Sequence, residues 1–554
     1  MKQLLLVLIL IPSVSFSQIQ IGQDIDGETA EDRSGHSISL SSDGNIVAIS
    51  SVQNNNFSGH VRVYKNESGN WVQIGSDIDG TGGWFGYSVS LSSDGRIVAI
   101  GAVNSDANGL DSGHVSIYEN QSNNWVQIGS NISGESFYDG SGISLSLSFN
   151  GSIVAIGARS NNGNGNASGH VRVYKYQNNV WTQLGGDIDG EAAGDWSGHS
   201  VSLSSDGSIV AIGAIHNDAY GLHSGTNPGH VRVYRNISGN WVQIGSDIDG
   251  ENLFDRSGWS VSLSSDGSII AIGAEQNDGN GYNSGHVRIY KNESGNWVQV
   301  GSDIDGQLER DHFGYSISLS SEGNLIAIGG TYDNPIWNGS SGIVRIYKNE
   351  SDNWVQIGPD IHGEAEYDLS GRSVGLSSNG SIVAIGATGN DNANGIRSGH
   401  VRVFSIEVLL EVIEDITGNN NEVNITANQL NSINGVSGAI EGINYSIALD
   451  NGIFINEYNP TASEIQTIID QVNLNITEND IFSFNFYPNP AKNQFTIQLN
   501  TTAELRNASI YNNLGQLVLT SKETTINSSK LAAGLYVVQI ETNKGKGSKK
   551  LIIE

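Results

Sequence analysis

Between Gln18 and Phe404 the chain repeats one segment of roughly 55 residues, and the copy that should complete the series is split between the two ends. The stretch Ser-x-Ser-Leu-Ser-Ser-Asp-Gly-x-Ile-Val-Ala-Ile-Gly-Ala or a close variant begins at Ser37, Ser88, Ser144, Ser200, Ser260, Ser316 and Ser373. Seven copies of Ser-Gly-His-Val-Arg-Val-Tyr or a close variant accompany it, from Ser58 to Ser398. The third stretch, Trp-Val-Gln-Ile-Gly, follows only six of them, led by Trp71, Trp125, Trp181, Trp241, Trp297 and Trp354. A truncated copy, Ile19-Gln20-Ile21-Gly22, stands ahead of the first repeat. The pattern predicts a closed ring in which the first strand completes the last blade.

Within one copy, Ser88-Val89-Ser90-Leu91 alternates and Ile97 to Ile100 is a continuous apolar run. Val115 and Ile117 alternate with Ser116 and Tyr118, and Val126 and Ile128 with Trp125 and Gln127. Such short β-branched segments, bounded by Gly, Asn and Asp, read as four antiparallel strands. Four strands per copy and seven copies predict an all-β chain built on a seven-bladed β-propeller, residues 18–404, whose blades bury both faces against neighbours. Closure also removes the exposed strand edges that an open array would leave. The turns divide into two kinds. The first-to-second and third-to-fourth connections keep a fixed length, whereas the second-to-third vary from six residues (Val52 to Phe57) to thirteen (Ile215 to Asn227). In an up-down-up-down blade the variable connections share one face with the fourth-to-first loops, so one face is uniform and the other diversified.

Composition bounds the partners. The 70 glycines suit many tight turns, and the formal charge of −31 argues against nucleic acid or an anionic membrane surface. No cysteine occurs, which excludes disulfides, lipid attachment through cysteine and thiolate chemistry. Lys2, the apolar run Leu4 to Ile11 and the small residues near Ser17 form a secretory signal pattern over residues 1–17. A run this short cannot span a bilayer core of about 30 Å as a helix, so no transmembrane anchor is expected.

Phe85-Gly86 and Phe313-Gly314 opening the first strand, with Gly101-Ala102 ending the second, resemble the FG-GAP repeats of integrin α-subunit propellers and of many bacterial surface proteins. Five of the seven copies carry Ser-Gly instead. The integrin-like calcium loops resemble Asp-x-Asp-x-Asp-Gly and lie between the first two strands, where this chain has Ser-Ser-Asp-Gly.

Acidic groups recur in the fourth-to-first loops: Asp24, Asp26, Glu28 and Asp32; Asp187, Asp189, Glu191 and Asp195; Asp247, Asp249, Glu251 and Asp255. Two readings fit them. Their oxygens could hold Ca²⁺, the one candidate cofactor, which takes six to eight oxygen ligands, or Asp-Gly pairs and Asx turns could shape the blade junction. The histidine column His60, His114, His170, His230, His286 and His400 reads as a repeated structural hydrogen bond, and the arginine column, including Arg62 and Arg172, as solvated or blade-packing. Two columns refuse to repeat. Two residues before the Gly that opens the first strand stand Arg33, Trp84, Gly140, Trp196, Arg256, His312 and Leu369. Just after it stand His36, Tyr87, Ile143, His199, Trp259, Tyr315 and Arg372. If the first strand is innermost, these side chains gather at the channel mouth on the diversified face. There Trp, Tyr, Arg and His could supply binding energy and stack on sugar rings, whereas simple drift at exposed loops is the competing account.

Beyond the ring, residues 405–420 read as a linker and 421–475 as a small helical module or spacer. Tyr487-Pro488-Asn489-Pro490, the strand-like runs from Phe495, Ala508 and Gly534, and the closing Lys549 to Glu554 resemble the type A sorting domain of the type IX secretion system, over residues 482–554. That resemblance implies export from a Gram-negative bacterium, secretion or attachment at its outer surface, and the secretion machinery as partner. Bottom-up, the same strands read as a small β-sandwich. No nucleophile stands beside a credible base, so no catalytic residue is assigned. The expected function is a secreted or surface binding module for an extracellular glycan or protein; the alternatives are a polysaccharide-acting enzyme and a structural surface protein.

Overall fold

The computed structural model describes residues 18–218, 227–331, 340–406, 484–499, 504–512, 517–532, 534–542 and 545–553. The signal segment and the 421–475 module lie outside them. The chain divides into two compact units, residues 1–410 and 411–554, each described by itself.

In the first unit, seven antiparallel sheets each contain five strand segments. In the second blade the order from inside out is Phe85–Leu91, Ile97–Ala102, His114–Gln121 and Asn124–Gln127, and the two-residue segment Ile132–Ser133 also pairs with the third strand. The outer position of each blade is thus one strand interrupted at the Gly that follows Trp-Val-Gln-Ile. Closure follows the sequence expectation. Gln18–Gln20 pairs antiparallel with His400–Ile406, setting Gln18 opposite Ile406 and Gln20 opposite Phe404, and Ile25 falls opposite Val401.

Hydrophobic cores sit between successive sheets. Ala48, Val61 and Val63 of the first blade pack with Val89, Leu91, Val98 and Ile100 of the second. At the seam, Ile25, Ala384, Val401 and Val403 pack with Ile38, Val47 and Ile49. Each valine, leucine or isoleucine among them contributes about 1.5–3 kcal/mol on full burial, so every blade depends on both neighbours. The tryptophan column ties blades together: Trp125 Nε1 donates to the Ile74 carbonyl of the preceding blade at 2.9 Å, and Trp71 to that of Ile21 at 2.9 Å.

The uniform face owes its uniformity to a circle of backbone hydrogen bonds. Ser42 N donates to Ser93 O, Ser93 N to Phe149 O, Phe149 N to Ser205 O, and so on through Ser265 and Ser321 to Ser378, whose N–H returns to Ser42 O at 2.9 Å. One inserted residue in any of these hairpins would break the circle.

In the second unit, a three-stranded and a four-stranded sheet share one core. Phe486, Phe495, Ile497 and Ile526 of the first pack with Ile510, Val538, Ile540 and Leu551 of the second, which makes the predicted sandwich.

Candidate functional site

The first strands of all seven blades line one axial cavity of about 360 Å³, which establishes them as the innermost strands. Its wall carries the whole second variable column: His36, Tyr87, Ile143, His199, Trp259, Tyr315 and Arg372. A β-bulge turns these side chains inward. In the fourth blade Ser197 pairs with Ala214 and Ser200 with Gly213, so Gly198 and His199 stand outside the ladder. The bulge requires glycine: Gly198 has φ +83°, and a Cβ there would lie 2.5 Å from the His170 carbonyl oxygen.

The first variable column has one backbone conformation with seven different side chains. Arg33, Trp84, Gly140, Trp196, Arg256, His312 and Leu369 all adopt left-handed φ between +50° and +63°. The backbone is held constant while chemistry varies, which is the arrangement of a scaffold that presents side chains.

The two columns meet. Trp84 stacks on Tyr87 with ring centroids 6.1 Å apart. His36 contacts Tyr87 at 4.9 Å, and His199, Trp259 and Tyr315 form a run with successive centroids 4.7 and 5.4 Å apart. Arg372 lies 4.8 Å over Tyr315 and donates to its hydroxyl. Arg256 lies 5.8 Å from the Trp259 ring. Burial and the nearby Arg372 and Arg33 hold His36 well below its ordinary range. Burial, with Arg159 the first of the neighbouring cations, takes His199 down to about 3. Both rings are therefore neutral at pH 7 and present π faces and lone pairs rather than charge. Burial also lowers Arg159 and Arg372.

Sequence reading missed a third variable column, the residue after the Gly-Ala that ends the second strand: Val52, Val103, Arg159, Ile215, Glu275, Thr331 and Thr388. Arg159 enters the cavity wall, 3.2 Å from His199 Nδ1 and 4.6 Å from the Trp196 ring. Glu275, only 3% exposed, faces Arg256 at 3.4 Å and bonds His312 Nδ1. His216, which opens the longest insertion, packs 4.2 Å from Trp196. The signal was available, since an otherwise faithful repeat varies there too. It was hidden because these residues are separated in sequence from the two columns they join.

The acidic loops split into two structural roles. Asp32 accepts from the backbone N–H of Glu28 and Thr29 at 2.9 and 2.7 Å, and Asp195 and Asp255 bond their own loops likewise. These three shape the turn. Asp24, Asp187 and Asp247 instead face the buried histidine column, at 3.3, 3.8 and 3.7 Å from His400, His170 and His230. Asp26 accepts from Asn392 at 3.0 Å, Asp189 lies 4.0 Å from His170, and Asp249 accepts the Arg288 guanidinium through its carbonyl at 2.7 Å. The arginine column is buried, with Arg62 donating to the Asp26 carbonyl at 2.7 Å. Five of the six histidines in the column face carboxylates through Nδ1: His400 lies 3.3 Å from Asp24, while His60, His170, His230 and His286 stand 3.6–3.9 Å from their nearest acids.

Comparison with known proteins places two motifs. A secretion system C-terminal sorting domain matches residues 485–554, and an FG-GAP repeat matches residues 76–118. The chain is an exported propeller. The FG-GAP match covers the second blade's inner three strands, and the sorting tail indicates a secreted or cell-surface protein that engages the secretion machinery. No curated protein matches. Among solved structures, a candidate 6-phosphogluconolactonase from Bacteroides uniformis aligns with a TM-score of 0.43 at 13% identity, covering 60% of this chain and 86% of that one. Among the described residues, no helix is long and apolar enough to cross a membrane.

Proposed function

We propose that this exported propeller, delivered to the outer surface of a Gram-negative cell or to its surroundings, binds an extracellular glycan at the mouth of its central channel. The observation that carries the reading is the convergence of Tyr87, Trp259, Tyr315, Arg159 and Arg372 on one axial cavity. Aromatic faces stack on the apolar faces of sugar rings, and guanidinium forks bond hydroxyl or carboxylate oxygens. Among the described residues, the cavity wall carries no carboxylate, which disfavours glycoside hydrolysis by a carboxylate pair. Ca²⁺ at the acidic loops stays a proposal for the blade junction rather than for the channel.

A glycan array probed with the full mature chain tests it. Binding of a glycan class, weakened tenfold or more by Trp259→Ala or Tyr315→Ala, is the expected result. Binding unchanged by these substitutions and by Trp84→Ala and Trp196→Ala would remove the channel as the site.

A protein partner is the second reading, favoured by exposed aromatic tips on the diversified face: Phe137 is 62% exposed, Tyr138 58% and Tyr367 59%. Pull-downs that depend on Phe137 and Tyr138, but not on Trp259, would favour it.

A further inference from the structure

The structure assigns a second kind of site, independent of the channel: a ring of divalent-cation sites between blades, each built from one imidazole and two carboxylates of adjacent sheets. In the third blade, His170 Nδ1 stands 3.9 Å from Glu135 Oε2 and 3.8 Å from Asp187 Oδ2. The imidazole is 1% exposed and neither ring nitrogen has a hydrogen-bond partner. An unpartnered, buried imidazole thus aims its Nδ1 at carboxylates that stand just beyond hydrogen-bond reach.

The outer oxygens are already held. Arg172 lies 3.4 Å from Glu135 Oε1, and Gln183 Nε2 donates to Asp187 Oδ1 at 2.6 Å. Each carboxylate is oriented by one oxygen and turns its other towards His170, the way outer-shell partners orient metal ligands. Equivalent sets surround His60, His230, His286 and His400, five in all among the described residues, with ligand atoms within 4.8 Å of one another. A tetrahedral zinc ion with bonds of about 2.0–2.2 Å sets its ligand atoms roughly 3.3–3.6 Å apart, so sub-ångström side-chain shifts suffice. An imidazole with two carboxylates suits Zn²⁺ and its neighbours better than Ca²⁺, which prefers an all-oxygen shell.

The other two blades each lose two of the three members. The second keeps His114 but has Thr81 and Asn131 where the acids stand. The sixth has Ile343 for the imidazole and Gln307 for Glu, and its remaining Asp360 turns to Arg345 at 3.0 Å. Every blade thus carries either all three groups or one, and none has lost a single member. At the seam, Asp24 comes from one end of the ring and Glu364 and His400 from the other, so a cation there would clasp the closure.

Metal analysis and titration calorimetry on the full mature chain, stripped with chelator and reloaded with Zn²⁺, test the proposal. We expect five Zn²⁺ per chain, a raised melting temperature, and no displacement by equimolar Ca²⁺. The double substitution Thr81→Glu with Asn131→Asp, at two exposed positions beside His114, should add a sixth. No Zn²⁺ uptake by the native chain, or no gain in the double variant, would overturn it. So would full retention of Zn²⁺ after His170→Ala with His230→Ala.

Discussion

Ser378 N–H donates to the Ser42 carbonyl oxygen at 2.9 Å, and the two residues' hydroxyl oxygens also meet although 336 positions separate them. This bond completes the circle of hairpins on the uniform face, and the N-terminal strand completes the sheet beside it. Closure is thus made twice, once by backbone bonds between hairpins and once by pairing of Gln18–Gln20 with His400–Ile406.

Deleting residues 18–26 should open the ring. The buried Ile25 would be gone, Ile406 would lose cover and the last blade would expose an edge strand, at a loss of several kcal/mol from apolar area alone. Thermal denaturation and size-exclusion chromatography should report a melting temperature lower by more than about 5 °C and self-association. A deletion mutant that melts like the native chain would contradict closure through this strand.

Gly258→Ala should destabilise by about 1–3 kcal/mol, because φ is +88° and the new Cβ would meet the His230 carbonyl oxygen at 2.8 Å and Gly213 Cα at 3.0 Å. Gly295→Ala is the control: its φ of +93° is similar but nothing lies within 4 Å of the new Cβ, so chemical denaturation should find it less costly.

His199 should contribute to acid sensitivity. Its folded value of about 3 lies below the ordinary 6.5, so the unfolded chain binds the extra proton in that window. Its stabilising contribution is full above pH 6.5 and is lost as pH falls towards about 3. His199→Gln should flatten the acid limb of a stability-versus-pH curve, measured by denaturant midpoints. An unchanged limb would mean that the imidazole is protonated in the fold.

Removing residues 485–554 should abolish export without unfolding the ring, which has its own cores. Immunoblots of the native host would then find the truncated chain retained inside the cell and absent from the surface and the medium. Equal amounts outside the cell would refute the role of the tail.

Repetition made most of the fold legible. Strand alternation in Val115 to Tyr118, glycine at each bulge, and the displaced Ile19-Gln20-Ile21 segment state blade, turn and closure in local chemistry. Two of the three variable columns at the candidate site were legible too, because Trp84, Tyr87, Trp259 and Arg372 break otherwise regular columns. Arg159 and Glu275 were not, since they reach the same region from the end of another strand.

The sequence by itself determined the blade, the number of blades and the address, because periodicity, glycine positions and terminal motifs act through near neighbours along the chain. Only the tertiary structure decided which carboxylates shape turns and which face a histidine, and that Arg159 joins Trp196 and His199. Those contacts form between adjacent blades, where residues tens to hundreds of positions apart meet, and distance along the chain carries no record of that meeting.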